Sequence, residues 1–153
     1  MPWKTTLERA EEDQREGKSP STQAGEFVKE EMEHIRRGKH GARSPKQAIA
    51  IGLSKARRAG VDLKPPKKGR ASEKTRKSAE RDYRKGHSAK KKSSSSRRSG
   101  ARLKALKREP RSAASHRALS KQAKSAAQRR KRSGPATVGA GGRSRRSPHR
   151  KAA

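Results

Sequence analysis

The chain contains no cysteine among its 153 residues. This absence excludes disulfide bridges, cysteine-ligated metal sites and cysteine nucleophiles, and it leaves the redox compartment undetermined. Aromatic residues are almost as scarce, since Trp3, Phe27 and Tyr83 are the only three. Proteins that read single-stranded nucleic acid or RNA usually expose aromatic rings on which bases stack, so this composition argues against a base-reading module.

Large apolar side chains are also few, because Leu, Ile, Val and Phe together number 13. Ordering one backbone residue costs about 1–2 kcal/mol, whereas burying one Leu or Ile returns about 1.5–3 kcal/mol. We therefore expect one small helical unit and a largely disordered remainder. The sequence has no apolar run as long as a signal peptide or a membrane span, which predicts a soluble, cytoplasmic protein without membrane contact.

Positive charge dominates the composition, with 45 Lys and Arg residues against 14 Asp and Glu and a net charge of +31. The charge is unevenly distributed: residues 1–37 carry −2, residues 38–83 carry +10 and residues 84–153 carry +23. Glu109 is the one acidic residue of that last segment. A weakly acidic head followed by an intensely basic tail predicts a polyanionic partner.

The clearest helix signals lie between residues 38 and 60. Ser44 followed by Pro45 and Gln47 predicts a capping box, and Gly60 is placed to end the helix. A second amphipathic helix is predicted from Ser21 or Thr22 to Arg37. The apolar residues of each helix share one face: Ile49, Leu53 and Ala56 in the later helix, and Ala24, Phe27, Val28, Met32 and Ile35 in the earlier one.

These two helices predict an antiparallel pair, joined by a turn too long for a DNA-reading helix-turn-helix. Flanking helices are predicted from Thr5 or Thr6 to Glu16 and from Ser72 to Lys85, and residues 61–63 are expected to fold back over the pair. The predicted fold class is all-α: a small helical domain over residues 1–86 with a long disordered basic tail over residues 87–153. Within the tail, residues 101–108 and 113–132 are alanine-rich and are expected to form only fluctuating helices.

Catalytic and metal-binding patterns are weak in this sequence. His34 and His40 are six residues apart without a third ligand beside them, so no metal site is expected. The adjacent carboxylates of Glu30 and Glu31 indicate a solvated helix face, not an acid–base pair. No nucleophile arrangement stands out, and few apolar residues remain to enclose a dry pocket. We predict neither an enzyme nor a cofactor.

The basic side chains are the strongest functional signal, because each phosphate they neutralise releases condensed counterions from nucleic acid. Lys39, Arg43 and Lys46 surround the glycine-rich loop that enters the later helix, and this loop is either an anion site or simply a well-capped turn. The predicted nucleic-acid-binding residues are Lys39, Arg43, Lys46, Arg57 and Arg58 in the head, and Lys90, Lys91, Lys92, Arg97, Arg98, Arg129, Arg130, Lys131 and Arg132 in the tail.

We expect nonspecific binding to nucleic acid through phosphate contacts, with duplex DNA favoured over RNA and the protein associated with the nucleoid. The alternatives are a protein-interaction module that the basic tail localises, and an RNA- or ribosome-associated factor. The acidic head could also bind the basic tail of its own chain and compete with DNA.

Several runs of the sequence resemble a bacterial domain family of unknown function. They are S-P-S-T-Q-A-G-E-F-V at 19–28, H-G-A-R-S-P-K-Q-A-I-A-I-G-L-S-K-A-R-R-A-G-V at 40–61, and the P-P-K-K-G and S-E-K-T-R-K-S-A-E-R-D-Y that follow. This resemblance covers a little under half of the chain. It implies a small bacterial protein and carries no activity with it. The tail is similar in composition to the linker-histone-like tails of bacterial nucleoid proteins.

Overall fold

A computed structural model describes residues 2–88 and 95–132 of the chain, and the helices within those ranges confirm the all-α prediction. The described part contains six α-helices and one short 3₁₀ helix, and no β-strand. Their bounds are α1 (Lys4–Arg15), α2 (Pro20–Arg36), α3 (Pro45–Ala59), α4 (Glu73–His87), α5 (Ser96–Lys107), the 3₁₀ helix (Arg111–Ala114) and α6 (His116–Arg132).

Helix α3 begins and ends where the sequence predicts. The Ser44 hydroxyl accepts a hydrogen bond from the backbone N–H of Gln47 at 3.3 Å, and Pro45 is the first helical residue. The Gln47 side chain accepts from the N–H of Arg43, one residue before the position that a standard capping box would use. Gly60 ends the helix in the left-handed conformation, with φ of 104°.

The other predicted helices of the head are also present, with small shifts at their ends. Helix α2 starts at Pro20, earlier than expected, because the side chain of Ser19 accepts a hydrogen bond from the N–H of Thr22 and caps the helix. The α4 cap is Ser72, as predicted, since its hydroxyl accepts from the N–H of Thr75.

Helices α2 and α3 form the predicted antiparallel pair. The C-terminal part of α2 packs with the start of α3, where Ile35 and Ala48 are fully buried in one apolar cluster. The start of α2 packs with the end of α3, where Phe27 and Ala56 belong to a second cluster that also includes Val61. The helices approach closely between these clusters, because a Cβ atom on Gly52 would lie 2.7 Å from the Cα of Val28. Val61 thus folds back over the pair, as expected.

Residues 95–132, which we call the C-terminal unit, contain helices where the sequence predicted only fluctuating structure. Ala113 and Ala114 are buried in the same cluster as Ile35, and Leu119 of α6 packs against them. The C-terminal unit thus joins the core of the head through small side chains. The low number of large apolar residues in the sequence does not predict this packing. The rest of the predicted tail, residues 89–94 and 133–153, lies outside the described residues.

Backbone hydrogen bonds fix the C-terminal unit to the loop before α3. The N–H of Gly41 donates to the carbonyl of Leu106 at 2.9 Å, and the N–H of Ala42 donates to the carbonyl of Pro110 at 3.0 Å. The guanidinium of Arg36 donates to the carbonyl of Ala114 at 3.1 Å. These contacts join the two parts of the chain through main-chain groups and alanines.

Substituting Gly41→Ala is expected to release the C-terminal unit from the head. A Cβ atom at this position would lie 1.8 Å from the carbonyl oxygen of Glu109, so the backbone of the unit must move. We expect the free energy of unfolding to fall by about 1–3 kcal/mol. Amide hydrogen exchange over residues 96–132 should become faster.

The matched control is Gly25→Ala in α2, where a Cβ atom would meet nothing within 4 Å. Alanine there improves helix propensity and is expected to stabilise the protein by up to about 1 kcal/mol. Unchanged exchange over residues 96–132 in the Gly41→Ala variant would contradict the docking described above.

Candidate nucleic-acid interface

The C-terminal unit carries a large excess of exposed positive charge. It contains 14 Lys and Arg residues, every one of them exposed, and a single acidic residue, Glu109. The unit therefore cannot neutralise its own cations by internal ion pairs. A surface of this kind is an electrostatic footprint for a polyanion.

Helix α6 arranges part of this charge in a line. Arg117, Lys121, Lys124 and Lys131 follow i, i+4, i+7 and i+14 spacing, which places them on one face of the helix. The opposite face carries Leu119, which packs against the core of the head. The line of cations spans about 21 Å at the helical rise of about 1.5 Å per residue. Packing of the apolar face therefore directs the cations to solvent.

A groove of about 570 Å³ joins the end of α6 to the start of α3. It is lined by four cations and two neutral polar side chains, and no acidic residue takes part: Lys46, Ser125, Gln128, Arg129, Lys131 and Arg132. All four cations are among the predicted binding residues, but nothing in the sequence indicates that Lys46 of the head lies beside the basic end of α6. In the structure these four cations lie together in one groove.

Cations of the head, by contrast, are often paired with carboxylates. Arg76 forms a close ion pair with Glu73 at 2.6 Å and lies 3.8 Å from Glu80. Lys18 contacts Asp13 at 2.7 Å and Glu16 at 2.6 Å, and its hydrogen bonds to these carboxylates raise the pKa of the ammonium well above its ordinary value. Charges that are already paired contribute less to the attraction of a polyanion.

Two arginines predicted as binding residues serve other purposes. Arg57 is buried, and its guanidinium donates to the carbonyl of Leu63 at 3.0 Å. Burial lowers the pKa of Arg57 from its ordinary value, and the negative charge of Asp82 opposes that shift. Arg58 is exposed, but it donates to the carbonyl of Ser54 and lies 3.9 Å from Asp82. We therefore remove Arg57 from the candidate interface, because a buried guanidinium cannot reach a phosphate.

The remaining predicted residues are more dispersed. Lys39 lies over the indole ring of Trp3, with the ammonium 4.6 Å from the ring centroid. Arg43 is exposed at the loop, and Arg97 and Arg98 are exposed at the start of α5, none of them in the groove. Arg130 is exposed near the end of α6. The predicted residues Lys90, Lys91 and Lys92 lie outside the described residues.

The loop that the sequence offered as an anion site uses its amides internally. The N–H groups of Gly41 and Ala42 donate to the C-terminal unit, that of Lys39 donates to the carbonyl of His34, and that of Arg43 donates to Gln47. An anion would have to displace these partners. The geometry favours the capped-turn interpretation over a phosphate site.

A buried polar cluster lies between α2, the loop before α3 and α3 itself. The expectation that His34 and His40 lack a third ligand is corrected here, because a ligand atom of Glu31 lies with theirs in a group of atoms all within 4.8 Å of one another. All three residues are buried. Burial and the nearby Lys55 ammonium lower the pKa of His34 from its ordinary value, which favours its neutral form.

Sequence reasoning missed the three cations in the middle of α6, which are Arg117, Lys121 and Lys124. Their i, i+4, i+7 spacing within an alanine-rich run was visible in the sequence. Few large apolar residues accompany this run, so the sequence predicts only fluctuating helix there. The buried alanines that fix its position could not be recognised without knowing what covers them.

Comparisons with known proteins find a match for part of the head and leave the rest of the chain unmatched. Residues 18–69 match a family model described as "Family of unknown function (DUF6496)". This match spans α2, α3 and the segment after them, and it supports an uncharacterised domain there. No curated protein and no solved structure matches the chain. Among the described residues, no helix is long and apolar enough to cross a membrane.

The neighbouring substitutions Arg57→Gln and Arg58→Gln are expected to separate structure from surface charge. Losing the Arg57 guanidinium leaves the carbonyl of Leu63 without that donor and should cost about 1–3 kcal/mol of unfolding free energy. The Arg58→Gln variant should remain within about 0.5 kcal/mol of the parent protein. Urea unfolding followed by circular dichroism measures both, and equal stabilities would refute a structural role for Arg57.

Proposed function

We propose that this protein binds nucleic acid nonspecifically, with duplex DNA favoured over RNA, through contacts between the cations of α6 and the phosphate backbone. The observation that carries the proposal is the groove between α3 and α6, in which four cations converge without an acidic residue. In a cell, binding of this kind would hold the protein on the nucleoid.

The energetic basis is counterion release. Each phosphate that a Lys or Arg neutralises frees condensed cations, and the logarithm of the binding constant falls with the logarithm of salt concentration by about 0.9 per contact on B-DNA. The line of cations on α6 is about 21 Å long, which matches the rise of about six phosphates along one strand. A helix of this length can therefore make several such contacts at once.

Duplex DNA is favoured because the C-terminal unit offers no large aromatic ring on which bases could stack. Residues 95–132 contain no Phe, Tyr or Trp, and proteins that bind single strands or RNA loops rely on such rings. Arg and Lys contacts to phosphates position a protein on a duplex without reading its sequence. The side chains of α6 therefore support affinity without sequence specificity.

The triple substitution Arg117→Gln, Lys121→Gln, Lys124→Gln tests the α6 face. If all three side chains contact phosphates, the salt dependence of duplex binding should become shallower by up to about 2.7 log units per log unit of salt. Gel shifts or fluorescence anisotropy across a salt series provide the measurement, with structured RNA and heparin as competing polyanions.

The matched control is the triple substitution Lys67→Gln, Lys68→Gln, Lys74→Gln, which removes the same charge from exposed positions of the head. It should change the slope less than the α6 variant. Equal slopes for the two variants would mean that total charge, not the α6 face, determines binding. Preference for structured RNA over duplex DNA in the parent protein would favour the RNA-associated alternative.

Charge reversal at Lys46 tests the groove itself. Lys46→Glu places a carboxylate among the cations of α6 and should lower the salt slope by about 0.9, the value of one lost phosphate contact. The control Lys67→Glu makes the same change in net charge at an exposed position outside the groove. The groove is excluded as the binding site if both variants bind duplex DNA equally well.

A further inference from the structure

The buried cluster around Glu31 contains four polar side-chain atoms without a hydrogen-bond partner. Glu31 is fully buried, and neither of its carboxylate oxygens forms a hydrogen bond. Glu30 Oε1 and His34 Nε2 are likewise buried without a hydrogen-bond partner. Buried polar atoms are nearly always satisfied in folded proteins, so four such atoms in one place indicate a missing partner.

Lys55 contributes one positive charge to this cluster, which balances only one of the two buried carboxylates. Its ammonium forms ion pairs with Glu31 Oε2 at 2.6 Å and with Glu30 Oε1 at 3.7 Å. Two buried carboxylates thus share one ammonium, and Glu30 Oε2 also accepts a hydrogen bond from the N–H of Trp3 at 3.0 Å. A further cation would balance the cluster, because an unpaired buried charge is strongly unfavourable.

The tautomer of His40 directs a lone pair toward Glu31. His40 Nδ1 lies 3.1 Å from the carbonyl oxygen of Gly41, which can only accept, so Nδ1 carries the proton. In the neutral ring, Nε2 then faces Glu31 Oε1 at 3.3 Å as a second acceptor. Two acceptors at this distance repel each other unless a proton or a metal ion lies between them. Hydrogen bonding from the other ring nitrogen to a backbone carbonyl is the usual arrangement of a metal-binding histidine.

A second imidazole nitrogen, that of His34, also faces a buried carboxylate. Its Nε2 lies 3.6 Å from Glu30 Oε1. Metal–ligand bonds of about 2.0–2.1 Å in a tetrahedral site place neighbouring ligand atoms about 3.3 Å apart. The separation between His40 Nε2 and Glu31 Oε1 equals that value, and the separation between His34 Nε2 and Glu30 Oε1 is slightly longer. A proton on His40 would relieve one of the two pairs, whereas a metal ion could engage both.

We propose that Glu31, His34 and His40 form a buried binding site for a divalent transition metal ion, with Zn²⁺ as the best match. Two imidazole nitrogens and a carboxylate are ligands that zinc accepts, and the fourth position would be left for water or for Glu30 Oε1, which lies 3.6 Å from His34 Nε2. The ligands come from α2 and from the loop that receives the C-terminal unit. The ion would therefore fix that loop against α2 and act as a structural element.

Zinc binding to the full-length chain tests the site. The protein is freed of nucleic acid with nuclease and high salt, treated with a chelator and then titrated with Zn²⁺ against a chromophoric chelator. We expect one ion per chain with submicromolar affinity. Co²⁺ substituted for Zn²⁺ should give the intense visible absorption of a tetrahedral site.

The His34→Gln and His40→Gln variants should each weaken Zn²⁺ binding by more than about 10-fold, the least that losing even an outer-shell partner of a metal ligand costs. His116→Gln is the control, since it removes an exposed histidine on α6 outside the cluster, and it should bind Zn²⁺ like the parent protein. Circular dichroism reports whether each variant folds.

Metal binding by the parent protein can overturn the proposal even if the variants do not fold. No stoichiometric Zn²⁺ binding, or Co²⁺ binding without tetrahedral absorption, would leave the cluster as a proton-linked network of Glu31, His40 and Lys55. Equal affinity in folded His34→Gln, His40→Gln and parent proteins would place any bound zinc elsewhere. These measurements contain no nucleic acid, so their outcome is independent of the proposed function.

Discussion

Close approach of backbones is the constraint on which the rest of this structure depends. The chain has too few large apolar side chains to fill a wide core, so its elements must come close enough for alanines and glycines to make contact. Gly52 allows α2 and α3 to meet at the Cα of Val28, and Gly41 allows the loop before α3 to meet the backbone of Glu109. At this range small side chains make many dispersion contacts, and these contacts add up although each one is weak.

The sequence predicted those parts of the fold that depend on local signals. The cap at Ser44, the glycine at the end of α3 and the apolar stripe of α2 each follow from a few neighbouring residues. The docking of the C-terminal unit depends instead on Ala113 and Ala114, whose burial requires contact with α2 far away in the chain. Alanine gives no periodic signal in a run that is already rich in alanine, so this packing could not be predicted from composition or spacing.

The candidate sites likewise combine features that local sequence predicts with features that only the fold determines. Basic residues could be named from the sequence, but which of them are buried, paired or adjacent is a property of the fold. Arg57 and Arg58 are neighbours in sequence, yet one is buried beneath the loop and the other is exposed. The spacing of His34 and His40 indicates no third ligand, and the prediction that Glu30 and Glu31 form a solvated helix face is wrong, because both are buried. Packing of α3 through Lys55 against that face made it interior.

The groove between α3 and α6 has a consequence for the integrity of the fold. Its walls belong to two parts of the chain, which are otherwise held together by small side chains and a few main-chain hydrogen bonds. A polyanion bound in the groove would contact both parts, so it would stabilise the arrangement in which the C-terminal unit is docked on the head. By mass action this effect is reciprocal: binding stabilises the docked arrangement, and a more stable docked arrangement binds the polyanion more tightly.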